Sequence, residues 1–183
     1  MPLLWALLGA AAAGVDRAAW AALMQEPQLP KAWLLTMGTG VAATVLSLAL
    51  SAWVIGGSFP GPAWQRLVRW LPPLLATPHA AFAIGLAFLV APSGWVLRAL
   101  SPWATGLDAP PPWPTTQDPW GLGLVAVLVA KEVPFLLWTA AAQLQRADAG
   151  GRLARELTLA RTLGYSPRRA WRVVGWPQLA PRL

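Results

Sequence analysis

The residue types that most often carry catalysis or bind metals are scarce in this chain. Its 183 residues include no Cys and a single His, His79. Thiolate metal sites, disulfides and motifs that need two histidines are therefore excluded. The two lysines, Lys31 and Lys131, follow Pro30 and Ala130, so neither completes the G-x-x-x-x-G-K loop that binds nucleotide phosphates. These absences predict a chain that is not an enzyme and that uses no metal or cofactor of its own.

Two charged residues lie side by side in an otherwise apolar stretch. Lys131 and Glu132 fall near the middle of residues 121–142, and Pro134 removes a backbone N–H just after them. An ionisable side chain at the centre of a membrane helix costs about 2.5–3.5 kcal/mol, so such residues usually face protein or water. Two interpretations stay open. The residues form a pathway or gating site, or they form a structural charge pair with neighbouring helices.

Three apolar stretches are long enough to cross a bilayer, which takes about 20 residues. They cover residues 32–57, 74–91 and 121–142. Only 11% of the chain is charged and 56% is hydrophobic, whereas soluble domains carry about 25% charged residues. On the first span, small residues recur every four positions in two rows that predict helix packing: Thr36, Gly40, Thr44 and Ala43, Ser47, Ser51. We therefore predict an all-α, polytopic integral membrane helical bundle.

The N-terminal run of residues 3–13 is too short to span a membrane. It is predicted to be a short apolar helix whose beginning is missing, with a signal-like segment as the alternative. Residues 1–31 then form this helix and an external linker, and residues 32–183 form the transmembrane domain.

The charges predict which side of the membrane each connecting segment occupies. The chain carries 14 basic and 7 acidic residues, a net charge of +7. The segment 58–70 has Arg66 and Arg69 and no acid, and the part after residue 142 has eight arginines against Asp148 and Glu156. The segment 101–119 has two aspartates and no base. Basic segments remain cytoplasmic, so the first connection and the C-terminal tail are predicted inside and the proline-rich connection outside.

His79 lies near the cytoplasmic start of the second predicted span. A Ser-His-Asp hydrolase would need this histidine and an aspartate at one depth, but Asp108 and Asp118 are predicted on the opposite side. A hydrolase is therefore excluded. His79 is interpreted as an interfacial hydrogen-bonding residue, with a place in a transport pathway as the alternative.

The tail over residues 152–177 reads as two short helices joined at Gly164. The first helix places apolar residues at helical spacing and ends at the glycine, which suits a left-handed turn. The second begins with Ser166 as N-cap and Pro167 in the first turn, and is predicted to end at Trp176-Pro177. The predicted apolar positions are Leu153, Leu157, Ala160, Leu163, Ala170, Val173 and Val174.

Two functions fit a basic helix–corner–helix. One is a DNA-binding helix-turn-helix on a small membrane-anchored regulator. The other is a cytoplasmic loop of a transporter. The tail follows a membrane span by about ten residues, and no third helix is at hand to complete a soluble DNA-binding core. Its position therefore favours the transporter loop, and no nucleic acid is expected as a partner.

The tail resembles the signature loop of bacterial ABC-importer permeases, whose pattern is E-A-A, three residues, G, nine residues, I-x-L-P. Gly164 takes the place of the glycine, and Val174, Trp176 and Pro177 take the places of Ile, Leu and Pro. Thr158, Leu159 and Ala160 stand where E-A-A would be, so only the last alanine matches there. The segments 34–55, 71–95 and 118–138 also resemble this family, most of all its double-length fused permeases.

The resemblance implies a coupling loop that sits in a groove of a cytoplasmic ATPase subunit, which uses the ATP. It also implies a second permease half, an extracytoplasmic substrate-binding protein and a location in the bacterial inner membrane. Five tail residues are expected to act as apolar anchors for the ATPase: Leu159, Leu163, Tyr165, Ala170 and Trp171. Family members continue with further spans after this loop, so the chain is expected to be a fragment or a truncated reading frame.

Overall fold

The computed structural model describes residues 4–6, 9, 14–114, 118–146 and 149–182. The predicted N-terminal helix over residues 3–13 falls mostly outside this part of the chain. The described residues form helices, turns and short irregular connections and contain no strand, so the all-α prediction is confirmed. Backbone contacts divide the chain into two compact units, Met1–Gly38 and Thr39–Leu183.

Within these described ranges, three apolar helical segments have the length and composition of membrane spans: Leu29–Ser58, His79–Leu100 and Leu122–Gln145. The helices of the described chain are numbered here in order. They are α1 (Arg17–Met24), α2 (Leu29–Ser58), α3 (Pro62–Ala76), α4 (His79–Val90), α5 (Trp95–Leu100), α6 (Leu122–Gln145), α7 (Ala149–Thr162), α8 (Pro167–Ala170) and α9 (Trp176–Leu179). A π-helical turn, Trp171–Gly175, joins α8 to α9, and a 3₁₀ turn, Ala180–Arg182, follows α9.

The basic connection after the first span is a helix rather than an irregular loop. Pro62 occupies the first turn of α3, where its missing N–H costs nothing. Trp64 and Leu71 are buried, while Arg66 and Arg69 are exposed. The amphipathic pattern explains the helix, because burying the Trp64–Leu71 stripe against α6 stabilises it.

The second predicted span is interrupted twice. Thr77 has φ −71° and ψ 122°, an extended conformation that the ring of Pro78 imposes on the residue before it. The apolar stretch is therefore divided between the end of α3 and the 12 residues of α4, and Ala91 is again extended before α5. We call the interruption at Thr77 and Pro78 the α3–α4 break.

One of the two small-residue rows on α2 is buried, as predicted. Ala43, Ser47 and Ser51 are buried, whereas Gly40 and Thr44 are exposed. The main core lies at the opposite end of α6 from the proline-rich connection and joins α2, α3, α6 and the tail. Its buried members are Ile55, Trp64, Leu71, Leu137, Ala140, Ala141, Leu144, Leu153, Leu157, Ala160, Ala170, Trp171 and Leu179.

Candidate coupling surface and intramembrane lysine

The first tail helix, α7, is held against the membrane helices by its apolar face. Leu153, Leu157 and Ala160 are buried, and α7 packs against α6 and against the π-helical turn. The Gln178 amide donates a hydrogen bond of 2.5 Å to the Glu156 carboxylate, which ties α9 back to α7. The helix therefore has a fixed base from which its C-terminal end projects.

The glycine corner has the geometry that the sequence predicts. Gly164 has φ +88°, and its N–H donates to the Arg161 carbonyl at 3.0 Å. The next N–H, of Tyr165, donates to the Ala160 carbonyl at 3.2 Å. These two bonds form a Schellman motif, which ends α7 while satisfying its last carbonyls.

The helix after the corner begins as predicted. Pro167 occupies its first turn, and the Ser166 hydroxyl accepts a hydrogen bond of 3.4 Å from the Arg169 N–H. The two caps on either side of Gly164 fix the path of the backbone through the corner.

Apolar side chains are exposed around this corner. Leu159 is 62% exposed, Leu163 is 71% exposed and Tyr165 is 36% exposed. Arg161 and Arg169 are exposed beside them, and the Arg169 guanidinium lies 5.1 Å from the centroid of the Tyr165 ring. We call these five residues the corner surface. An apolar patch with a basic rim on a stiff projection is typical of a docking site.

Two of the five expected anchors are not available for docking, so that part of the prediction is wrong. Ala170 is buried, and Trp171 is 3% exposed inside the main core. The Trp171 ring lies against Gly56 of α2, where an added Cβ would come within 2.6 Å of the ring. This close packing attaches the tail to α2. Leu163, in contrast to these two residues, is exposed, because it lies beyond the last buried turn of α7.

Trp176 and Pro177 do not end the helix, which is a second correction. The backbone continues through the π-helical turn and α9 to Arg182. Pro177 lies in the first turn of α9, with the wider π-helical turn immediately before it. A π-helical turn of this kind accommodates the proline ring and its missing N–H without breaking the helix.

The residues aligned with the loop signature occupy both faces of the tail. Ala160 is buried, and Val174 and Trp176 are half-buried. Thr158, Leu159 and Pro177 are exposed, and the Thr158 hydroxyl donates to the Ala154 carbonyl at 2.9 Å. The threonine at the signature's glutamate position therefore makes its hydrogen bond within its own helix. Leu159 is the one aligned side chain that belongs to the corner surface.

Lys131 is buried against the α3–α4 break. The side chain is 4% exposed, and its ammonium donates to the Thr77 carbonyl at 2.7 Å and to the Leu74 carbonyl at 3.1 Å. The Phe82 ring centroid lies 5.6 Å from the same nitrogen, within range of a cation–π contact. Because the C-terminal end of a helix carries partial negative charge, Lys131 acts as a cap on α3.

The structure does not bring the other predicted pathway residues to this ammonium. Glu132 and Pro134 are half-buried on α6, and His79 is exposed at the start of α4. The hydrogen bonds of Lys131 go to backbone carbonyls that sequence reasoning missed. The Thr77-Pro78 pair was the available signal, since a residue before proline ends a helix and leaves carbonyls in need of donors.

A second cap holds the opposite end of α6. The Asp118 carboxylate accepts hydrogen bonds from the Leu122 N–H at 2.6 Å and the Gly123 N–H at 2.9 Å. These backbone bonds, from Gly123 first and Leu122 second, hold the pKa of Asp118 below its usual value of 3.8. Gly121, with φ +70°, lets the chain turn into the helix above this carboxylate.

Comparison with known proteins shows a similarity that covers the whole chain. No protein-family profile matches the chain, and no solved structure matches it. The inner membrane ABC transporter permease protein YnjC of Escherichia coli (strain K12) is 37% identical over 185 aligned residues, which cover 100% of this chain and 33% of the relative. The chain thus spans about a third of that relative's length. With three span-length apolar helices among its described residues, this chain is a multi-pass inner-membrane protein, and over its whole length it is similar to part of an ABC transporter permease.

Proposed function

We propose that this chain is the part of an ABC importer permease that lines the membrane pathway and docks a cytoplasmic ATPase subunit through the corner surface. The observation that carries the docking proposal is the exposure of Leu159, Leu163 and Tyr165 on a capped, glycine-turned projection. The 37% sequence identity with part of an ABC transporter permease supports the transport role.

The contacts of the tail suit it to transmit force. A load applied at the corner surface reaches α6 through Leu153 and Leu157, and reaches α2 through Trp171 against Gly56. The Schellman motif and the Ser166 cap leave few backbone groups free to rearrange. Closure of an ATPase dimer would therefore move both helices instead of bending the loop.

The other subunits follow from this role. We propose a cytoplasmic ATPase that uses the ATP, a second permease half, and a substrate-binding protein on the outer side. The basic tail and α3 would face the cytoplasm under the positive-inside rule. We propose no catalytic residue and no cofactor for this chain itself.

DNA binding by the tail is the second candidate function. The exposed guanidinium groups of Arg168, Arg169 and Arg172 suit phosphate contacts. However, Trp171 is 3% exposed inside the main core and attaches this helical segment to the membrane helices. A recognition helix needs a free face along several turns, so this arrangement favours the coupling role.

Cysteine cross-linking tests the docking proposal cleanly because the chain has no natural Cys. Leu163→Cys in the complete transporter should form a cross-link to the ATPase subunit, with a yield that changes when ATP is bound. Val173→Cys is the matched control, since Val173 is 57% exposed in the tail but lies outside the corner surface. Equal cross-linking at both positions, or none at Leu163→Cys in an active transporter, would contradict the proposal.

A further inference from the structure

A pocket of about 450 Å³ lies between the last turns of α2 and the tail. Four residues of α2 at helical spacing form one wall, and four tail residues form the other. The α2 wall consists of Ala49, Ala52, Trp53 and Gly56, and the tail wall of Arg168, Trp171, Arg172 and Trp176. Neither the transport role nor the corner surface uses this pocket.

The pocket combines two cations with an apolar wall. Arg168 and Arg172 are four residues apart, so their side chains lie on one helical face, and both are exposed. The Arg168 guanidinium lies 5.7 Å from the centroid of the Trp53 ring. None of the described lining residues is acidic. The pocket therefore offers two guanidinium groups to an anion, and Arg pairs with phosphate through two parallel hydrogen bonds.

The position of the pocket matches a membrane interface. Ala49 precedes the end of α2 at Ser58 by nine residues, which is about 14 Å of helix. The pocket thus extends from the end of a membrane span into the depth of the first acyl carbons. Trp53 and Trp176 have the amphipathic rings that lie at headgroup level.

We propose that this pocket binds an anionic phospholipid of the leaflet on the tail side. The phosphate lies between Arg168 and Arg172, and the upper part of one acyl chain lies along Ala49, Ala52 and Trp53. A free phosphate ion would use the arginines but leave the apolar wall empty. The shape and charge of the pocket together favour the lipid.

The lipid would link α2 to the tail at a point next to the contact between Trp171 and Gly56. It would thereby hold the tail against the membrane in addition to the protein contacts. This proposal rests on α2 as a membrane span and does not depend on docking of an ATPase at the corner surface.

Lipid titration of the purified full chain by native mass spectrometry tests the proposal. Phosphatidylglycerol and phosphatidylcholine with identical acyl chains are added separately, and the apparent dissociation constant of the first bound lipid is measured. The chain should prefer phosphatidylglycerol. Arg168→Gln combined with Arg172→Gln should weaken phosphatidylglycerol binding by about 30-fold, the value expected for loss of two interfacial cations, and should weaken the binding of phosphatidylcholine, which carries no net charge, by much less.

Arg66→Gln combined with Arg69→Gln is the matched control. It removes the same charge from exposed positions on α3 that do not line the pocket, so phosphatidylglycerol binding should remain within about twofold of the unmodified chain. An equal loss in both double variants would show nonspecific attraction and overturn the proposal. Unchanged binding in the Arg168 and Arg172 variant would overturn it as well.

Two further measurements separate the remaining explanations. Ala52→Phe fills the apolar wall without changing the charge, and should weaken phosphatidylglycerol binding while far-ultraviolet circular dichroism shows an intact helical fold. Millimolar inorganic phosphate should not displace the lipid. Displacement by phosphate together with normal lipid binding in Ala52→Phe would assign the arginines to a soluble phosphate and overturn the lipid proposal.

Discussion

Replacing Lys131 with methionine should loosen the α3–α4 break without unfolding the protein. The methionine keeps the length and apolar stem of the side chain but removes the ammonium. The carbonyls of Leu74 and Thr77 then lose the donor that lies 3.1 Å and 2.7 Å away. Both are at a helix end that proline prevents from continuing, so no backbone N–H of the same helix replaces the lysine.

The magnitudes explain why the effect should be local. Burial of the ammonium at this depth costs about 2.5–3.5 kcal/mol. Two hydrogen bonds from a charged donor contribute about 3–6 kcal/mol together, so the net contribution of Lys131 to the stability of the fold lies between about −0.5 and 3.5 kcal/mol. The substitution removes both terms, so the free energy of global unfolding should change by no more than this difference. The carbonyls of Leu74 and Thr77 still lose their donor, and this loss lowers the local stability of the α3–α4 break.

Hydrogen–deuterium exchange of the chain in lipid nanodiscs measures this local effect. Lys131→Met should raise the exchange rate of amides within residues 71–85 by about tenfold, which corresponds to about 1.4 kcal/mol of local stability. Exchange in the tail should stay unchanged. Lys131→Arg keeps the charge and the hydrogen-bond donors, so exchange within residues 71–85 should remain slow in this variant.

Glu132→Gln is the matched control, because Glu132 is the adjacent charged residue and is half-buried on α6. It should leave exchange at residues 71–85 unchanged. If Lys131→Met also leaves this exchange unchanged, the two carbonyl bonds do not hold the break and the reasoning fails. If transport by the complete system survives Lys131→Met and Glu132→Gln together, neither charge serves as a pathway or gating group.

Two further predictions concern the ends of helices. Gly164→Asp should abolish transport and transport-linked ATP hydrolysis in the complete system while the chain still inserts into the membrane, because aspartate at φ +88° strains the corner and places a carboxylate beside the corner surface. Gly164→Asn is the control, because asparagine tolerates left-handed geometry better and adds no charge, and it should retain part of the activity. Full activity of the aspartate variant would contradict the coupling role. Asp118→Asn should lower the thermal unfolding midpoint at pH 7. The difference from the unmodified chain should shrink as the pH falls through the lowered pKa of Asp118, below 3.8, because a depressed carboxyl pKa stabilises the fold only while the group is ionised. A difference that does not depend on pH would refute the capping explanation.

Features set by local sequence could be predicted for this chain. The apolar stretches become helices because their length and composition leave few alternatives in a membrane. The corner at Gly164 follows from a glycine after an apolar helical repeat, followed by Ser166 and Pro167. The amphipathic character of α3 was also present in the spacing of Trp64 and Leu71, although this segment was predicted only as a basic connection between two spans.

Features set by distant contacts could not be predicted from these patterns. Lys131 bonds to carbonyls 54 and 57 positions earlier in the chain, and no periodicity reports such a contact. Trp171 has the spacing of an exposed anchor, but its ring is buried because Gly56 on another helix leaves room for it. The acceptors of the Lys131 hydrogen bonds are backbone carbonyls, and the space beside Trp171 exists because Gly56 has no side chain, so neither of these features leaves a paired signal in the sequence.

The tail and the α3–α4 break are connected through one helix, α6. The C-terminal half of α6 provides Leu137, Ala140 and Leu144 to the core that holds the tail, and its N-terminal half holds the α3–α4 break through Lys131. Pro134 lies between these two halves, and its missing N–H removes one hydrogen bond of α6 there. A force from the tail would therefore meet the weakest turn of α6 before it reaches Lys131. The break would respond to movement of the tail only if α6 stays stiff across Pro134, so Pro134→Ala should strengthen, and not abolish, any coupling between the two.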